Sequence, residues 1–109
     1  MEFEMETMFD ESLNRWDVTI NGEIDIFESN EFKEKLIELI EQKETDLYIR
    51  CGNLSYIDST GLGALVAVLK SVKIYGGEMK LIGLKPAIAK LFRITNLDKA
   101  FVVEGDIGE

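Results

Sequence analysis

Two hydrophobic periodicities alternate along this chain, and that alternation restricts its fold more than any other feature. Phe3, Met5, Thr7 and Phe9 are interleaved with Glu2, Glu4 and Glu6, and Trp16, Val18 and Ile20 with Arg15, Asp17 and Thr19. A period of two is that of strands with one covered face. Asp10 to Asn14 between the two runs reads as a hairpin loop. After Gly22 the spacing changes. From about Ser29 to Gln42, Phe32, Leu36, Leu39 and Ile40 fall at i, i+4, i+7 and i+8 among Glu and Lys, which predicts an amphipathic helix.

The same exchange then repeats. Leu47, Ile49 and Cys51 alternate with Tyr48 and Arg50, predicting a third strand that ends at the turn residues Gly52 and Asn53. A second helix is expected from about Ser59, carrying Leu62, Leu65, Val66, Leu69 and Val72 and stopped by Gly76-Gly77. Its other side is small: Gly61, Gly63, Ala64 and Ala67. Such a stripe admits either tight packing on the helix's own sheet or close approach by a partner backbone. Met79 to Leu84, nearly all apolar, predicts a strand covered on both faces. Pro86 opens a third helix with Ile88, Leu91 and Phe92, and Asn96 is a suitable stop. Phe101-Val102-Val103 is a last short strand, followed by an acidic tail, Glu104 to Glu109, that is expected to fray.

Strands separated by helices need crossover connections, so the later strands should be parallel and the opening hairpin antiparallel. The expected class is α/β: one mixed sheet flanked by helices. All 109 residues fit a single domain, in which roughly 65% of the unfolded chain's surface can be buried. The 46% hydrophobic content supports a packed core rather than disorder.

Charge and missing residue types narrow the chemistry. A net charge of −9 repels nucleic-acid phosphates and anionic lipids, so protein partners are expected, with no nucleic acid and no membrane. Acids near the N-terminus, where a signal peptide carries Lys or Arg, point to a soluble cytoplasmic protein. The absence of His removes Ser-His-Asp and Cys-His catalysis and the common zinc sites. No enzyme, no metal and no cofactor is expected. Cys51, alone and in an alternating apolar run, reads as a buried structural thiol.

The densest cluster of special residues is Tyr56-Ile57-Asp58-Ser59-Thr60-Gly61-Leu62-Gly63, at the entry to the second helix. Ser59 can serve there simply as an N-cap. A dinucleotide loop fails because Val66 stands where the third Gly belongs, and no P-loop Lys follows. An aspartic protease reading fails because two residues separate Asp58 from Gly61 and no second copy exists.

Ile57-Asp58-Ser59-Thr60-Gly61-Leu62-Gly63, with Gly22-Glu23-Ile24-Asp25 before it and Gly76-Gly77 and Leu91-Phe92-Arg93-Ile94-Thr95-Asn96-Leu97 after it, closely resembles the STAS-domain anti-sigma factor antagonists. The resemblance covers essentially the whole chain and implies the STAS mixed sheet. It also implies that Ser59 is phosphorylated by an anti-sigma factor with serine kinase activity, and that a PP2C-type phosphatase reverses the modification. The unphosphorylated form would bind the anti-sigma factor and free the sigma factor. Asp58 is then the acidic neighbour of the phosphoacceptor, Asp25 lies close to it, and Thr60 is a competing acceptor. Gly61 and Gly63 complete the environment of the phosphosite. Two rivals stand beside this. One is a receiver domain phosphorylated on aspartate, which the opening hairpin and the Ser after Asp58 fit poorly. The other is a STAS adaptor of a transport or signalling assembly with no phosphocycle.

Overall fold

A computed structural model describes residues 2–104. Strand β1 (Phe3–Asp10) and strand β2 (Arg15–Ile24) form the expected antiparallel hairpin, with Phe9 opposite Trp16 and Asp10 opposite Arg15. The Asp10 carboxylate closes the loop by accepting hydrogen bonds from the Ser12 hydroxyl at 2.8 Å and the Leu13 N–H at 3.0 Å. Helix α1 (Ser29–Gln42) has the predicted bounds and buries the predicted stripe, Phe32, Leu36, Leu39 and Ile40. Then follow β3 (Asp46–Ile57), α2 (Ser59–Ile74), β4 (Met79–Ile82), α3 (Pro86–Ile94), a 3-10 turn (Leu97–Lys99) and β5 (Val102–Glu104). The sheet order is β1-β2-β3-β4-β5, and every pairing after the hairpin is parallel.

One contiguous core joins the buried residues of all three helices to one set of strand residues, among them Val18, Leu47, Ile49 and Leu81, each with no exposed surface. The alternate strand residues Arg15, Asp17, Tyr48, Arg50 and Lys80 carry ion pairs and cation–π contacts instead. The helices therefore cover one face of the sheet and leave the other to water.

That arrangement corrects the reading of β4. Met79 and Leu81 are buried, but Lys80 and Ile82 are only half-buried, so the strand is fully covered on one face alone. Its apolar run had suggested two. A second correction concerns β3, which does not end at Gly52-Asn53 but continues to Ile57. Its pairing with β2 shifts register between Thr19 and Asn21 and again between Gly22 and Glu23, and those irregularities absorb the turn-forming residues. The Asn53 amide donates to Asn21 Oδ1 at 2.8 Å across the first of them.

Asn96 ends α3 in a left-handed conformation with φ of 61°, and the last strand begins one residue later than predicted. Phe101 instead packs into the core against Phe92, ring centroids 5.8 Å apart. Glu104 belongs to β5, while the rest of the tail predicted to fray lies outside the described residues. Cys51 is buried as expected, and burial pushes its thiol up to about 12.

Because β2 to β5 run parallel, their C-terminal ends share one edge of the sheet. Connections leaving β2 and β3 at that edge emerge side by side, the usual position for a binding site in a parallel sheet. The extension of β3 to Ile57, paired with Ile24, is what brings these two connections together.

Candidate functional site

The site is built on the two connections that follow Ile24 and Ile57. Asp58 ties them to each other: its N–H donates to the Ile24 carbonyl at 3.3 Å. Its side chain then starts α2. One oxygen, Asp58 Oδ1, accepts from the Thr60 N–H at 3.0 Å, the Gly61 N–H at 3.1 Å and the Thr60 hydroxyl at 2.6 Å. A helix begins with N–H groups that lack intrahelical acceptors, and Asp58 satisfies two of them. The N-cap is therefore Asp58, not Ser59. Both are good capping residues, and the strand running to Ile57 decides which of them stands at the boundary.

Ser59 is left exposed, and among the described residues its hydroxyl makes no hydrogen bond. Thr60 is exposed too, but its hydroxyl is committed to Asp58. The two candidate acceptors thus differ: one hydroxyl is free and the other is engaged. The Thr60 hydroxyl bond, followed by the Gly61 N–H, holds the Asp58 carboxyl below the usual carboxylate range, so Asp58 is ionised beside Ser59 at neutral pH.

Asp25 is buried at the end of β2. It is only 7% exposed, and Oδ1 accepts from the Phe27 N–H at 2.9 Å. Its carbonyl accepts from the Glu28 and Ser29 N–H groups at 3.1 and 2.9 Å, so it organises the whole turn into α1. The Asp25 and Glu28 carboxyls lie against one another. The Glu28 carboxyl lowers the pKa of Asp25, whereas the Asp25 carboxyl, with burial, raises that of Glu28. One Glu28 oxygen, Oε1, is buried with no partner among the described residues.

These shifts act on stability in opposite directions. Asp25 and Asp58 have folded pKa values below their ordinary 3.8, so their contribution is present above that value and is lost as the pH falls through the folded ones. Glu28 is raised from 4.5; its charge opposes folding, and the penalty sets in as the pH rises through that value. Glu28→Gln should therefore raise the melting temperature at pH 7, with the gain vanishing near pH 4. Thermal melts at the two pH values check this, and a lower melting temperature at pH 7 would refute it.

The small residues of α2 divide into two kinds. Gly61 is buried, and a Cβ placed there would lie 2.5 Å from Ile57 Cγ1 and 3.1 Å from Ile24 Cγ2. Gly63 faces open space. With Thr60, Ala64 and Ala67 it lines a groove of about 240 Å³ whose opposite wall is Ser29, Asn30 and Lys33 of α1. The sequence reading missed that wall because the pairing of α1 with α2 leaves no local trace. Among the described residues, no group of three or more Cys, Asp or Glu is arranged to hold a metal ion, and no helix is long and apolar enough to cross a membrane.

Residues 9–109 match the STAS domain. This chain belongs to the STAS domain family. It is 46% identical over 80 residues to an anti-sigma-B factor antagonist of Bacillus subtilis, a match covering 73% of this chain and 72% of the relative. Its fold is that of a crystallised candidate anti-sigma factor antagonist from Thermotoga maritima, with TM-score 0.85 at 21% identity, covering 94% of this STAS chain and 87% of the other. SpoIIAA, an anti-sigma factor antagonist from Bacillus, shares the fold in an unphosphorylated and in a phosphorylated form. The unphosphorylated form gives TM-score 0.70 at 20% identity over 96% of this chain and 88% of its own. The phosphorylated form gives 0.69 at 21% identity over 94% and 90%.

Proposed function

We propose that this STAS domain is an anti-sigma factor antagonist switched at Ser59. Unphosphorylated, it binds an anti-sigma factor that is also a serine kinase, and so frees a sigma factor in the cytoplasm. Phosphorylation of Ser59 blocks the contact, and a PP2C-type phosphatase restores it. The observation that carries this reading is the free Ser59 hydroxyl at the first turn of α2, beside a cap that Asp58 completes without it. The relation to the Bacillus subtilis antagonist supports the choice of partner.

The hydroxyl is suited to be a substrate rather than a catalytic nucleophile. Asp58, its acidic neighbour, spends Oδ1 on the cap, and Thr60 is bound to the same atom. A phosphate there brings about −1.5 to −2 charges at pH 7 and three acceptor oxygens. The helix macrodipole favours such a charge by roughly 0.3 to 1 kcal/mol, so the fold tolerates it.

Incubation with ATP and the Bacillus subtilis anti-sigma-B factor should place one acid-stable phosphoryl group on the Ser59 peptide, seen by mass spectrometry. Ser59→Ala should abolish it and Thr60→Val should not. An unmodified wild-type protein would favour an adaptor without a phosphocycle, and a hydroxylamine-labile phosphate would favour an aspartyl acceptor.

A further inference from the structure

We infer that Phe27 is the apolar anchor of the complex, inserting into an apolar socket on the anti-sigma factor whose rim is basic on the side that faces β1, away from Ser59. This rests on the partner proposed above and adds to it a second contact with different physics.

Phe27 is 84% exposed and its neighbour Ile26 63% exposed, in a chain that buries nearly all its other large aromatic rings at least in part. The turn that carries them is fixed. The Phe27 N–H is held by Asp25 Oδ1, and the Asp25 carbonyl holds the next two N–H groups. A buried carboxylate is thus used to present an apolar side chain to solvent. A preformed turn of this kind has little conformational freedom left to lose on binding.

Position ties Phe27 to the switch. Ile24 and Ile57 are paired and the Asp58 N–H donates to the Ile24 carbonyl at 3.3 Å, so the turn that carries Ile26 and Phe27 leaves the sheet beside the turn that carries Ser59. A partner seated on Ser59 therefore also meets this apolar surface. The acids lie to one side of it: Glu28, the next residue, and Glu31 line a recess with Glu2 and Phe3 beside β1, whereas Ser29, Asn30 and Lys33 face α2, and the whole chain carries a net charge of −9. Charge complementarity selects a basic rim on the partner, and exposed aromatic residues are the type that dominates binding energy at the centre of interfaces.

The two contacts respond differently to salt. Apolar burial is insensitive to ionic strength over the range in which a charge–charge effect is screened. The experiment measures binding of the Bacillus subtilis anti-sigma-B factor to the wild-type chain, Phe27→Ala, Phe27→Tyr and Ser59→Asp at 0.05 and 0.5 M NaCl, between which the Debye length falls about threefold. Phe27→Ala should bind about thirtyfold or more weakly at both salt concentrations, mainly through faster dissociation, with an unchanged melting temperature. Phe27→Tyr should stay within about threefold of wild type. The Ser59→Asp loss should shrink at high salt. If Phe27→Ala binds like wild type while Ser59→Asp does not, the anchor is overturned and the switch stands. If the wild-type chain fails to bind, the proposed partner itself is wrong and the anchor falls with it.

Discussion

Ser59→Asp should weaken the proposed complex with an anti-sigma factor by about a hundredfold and leave the melting temperature within about 2 °C of wild type. The affinity change follows from Coulomb's law. A like charge on the partner about 5 Å from the new carboxylate costs roughly 3 kcal/mol at an effective dielectric near 20, and each 1.4 kcal/mol is tenfold in affinity. The unchanged melting temperature follows from the cap. The Ser59 side chain is exposed and accepts none of the first helical N–H groups, which Asp58 takes. A new acid at the first turn also lies on the favourable side of the helix dipole. Titration calorimetry and a thermal melt read the two quantities separately. Wild-type affinity would end the electrostatic account, and a large fall in melting temperature would make Ser59 a structural residue.

Gly61→Ala and Gly63→Ala, two positions apart on one helix, should have opposite effects on stability. At Gly61 the added methyl runs into Ile57 and Ile24, the last residues of β3 and β2, both buried. Overfilling a packed core costs about 1 to 3 kcal/mol. Either these two side chains or the N-terminal turn of α2, which carries Ser59, must shift to admit it. At Gly63 nothing lies within 4 Å of the added atom, and the backbone is already helical. There Ala should stabilise the protein by roughly 0.5 to 1 kcal/mol. Chemical denaturation measures both. The Gly63 variant has a second use, since the methyl projects into the groove between α1 and α2. A more stable protein that binds less tightly places the partner's backbone in that groove; undiminished binding keeps it out.

That contrast shows what a sequence can and cannot disclose. Gly61 and Gly63 are the same residue in the same helix, and only the location of the sheet tells them apart. Helix α1 was readable to its ends because its apolar positions follow one period without interruption. The hairpin was readable for the same reason, with turn-forming residues at its loop. Strand β3 was not readable beyond Cys51. Gly52 and Asn53 have turn propensity, and the register shifts that keep them in the sheet depend on β2, about thirty residues earlier. The open side of β4 was hidden because Ile82 is apolar whether or not a helix covers it. At the site, the motif located the segment but not the division of labour within it. Asp58 as cap, Thr60 as its bound neighbour and Asp25 as the organiser of the α1 turn are hydrogen-bond assignments that residue types leave open.

The cap by Asp58 also bears on time. A helix that relied on residue 59 for its start would have to melt and re-form its first turn whenever that residue was modified, and each conversion would carry a folding step. With the start of α2 secured one residue earlier, both chemical states of Ser59 can share one backbone. In the proposed phosphocycle, conversion between them would proceed as fast as the modifying enzymes work, and nothing of the previous state would persist in the fold.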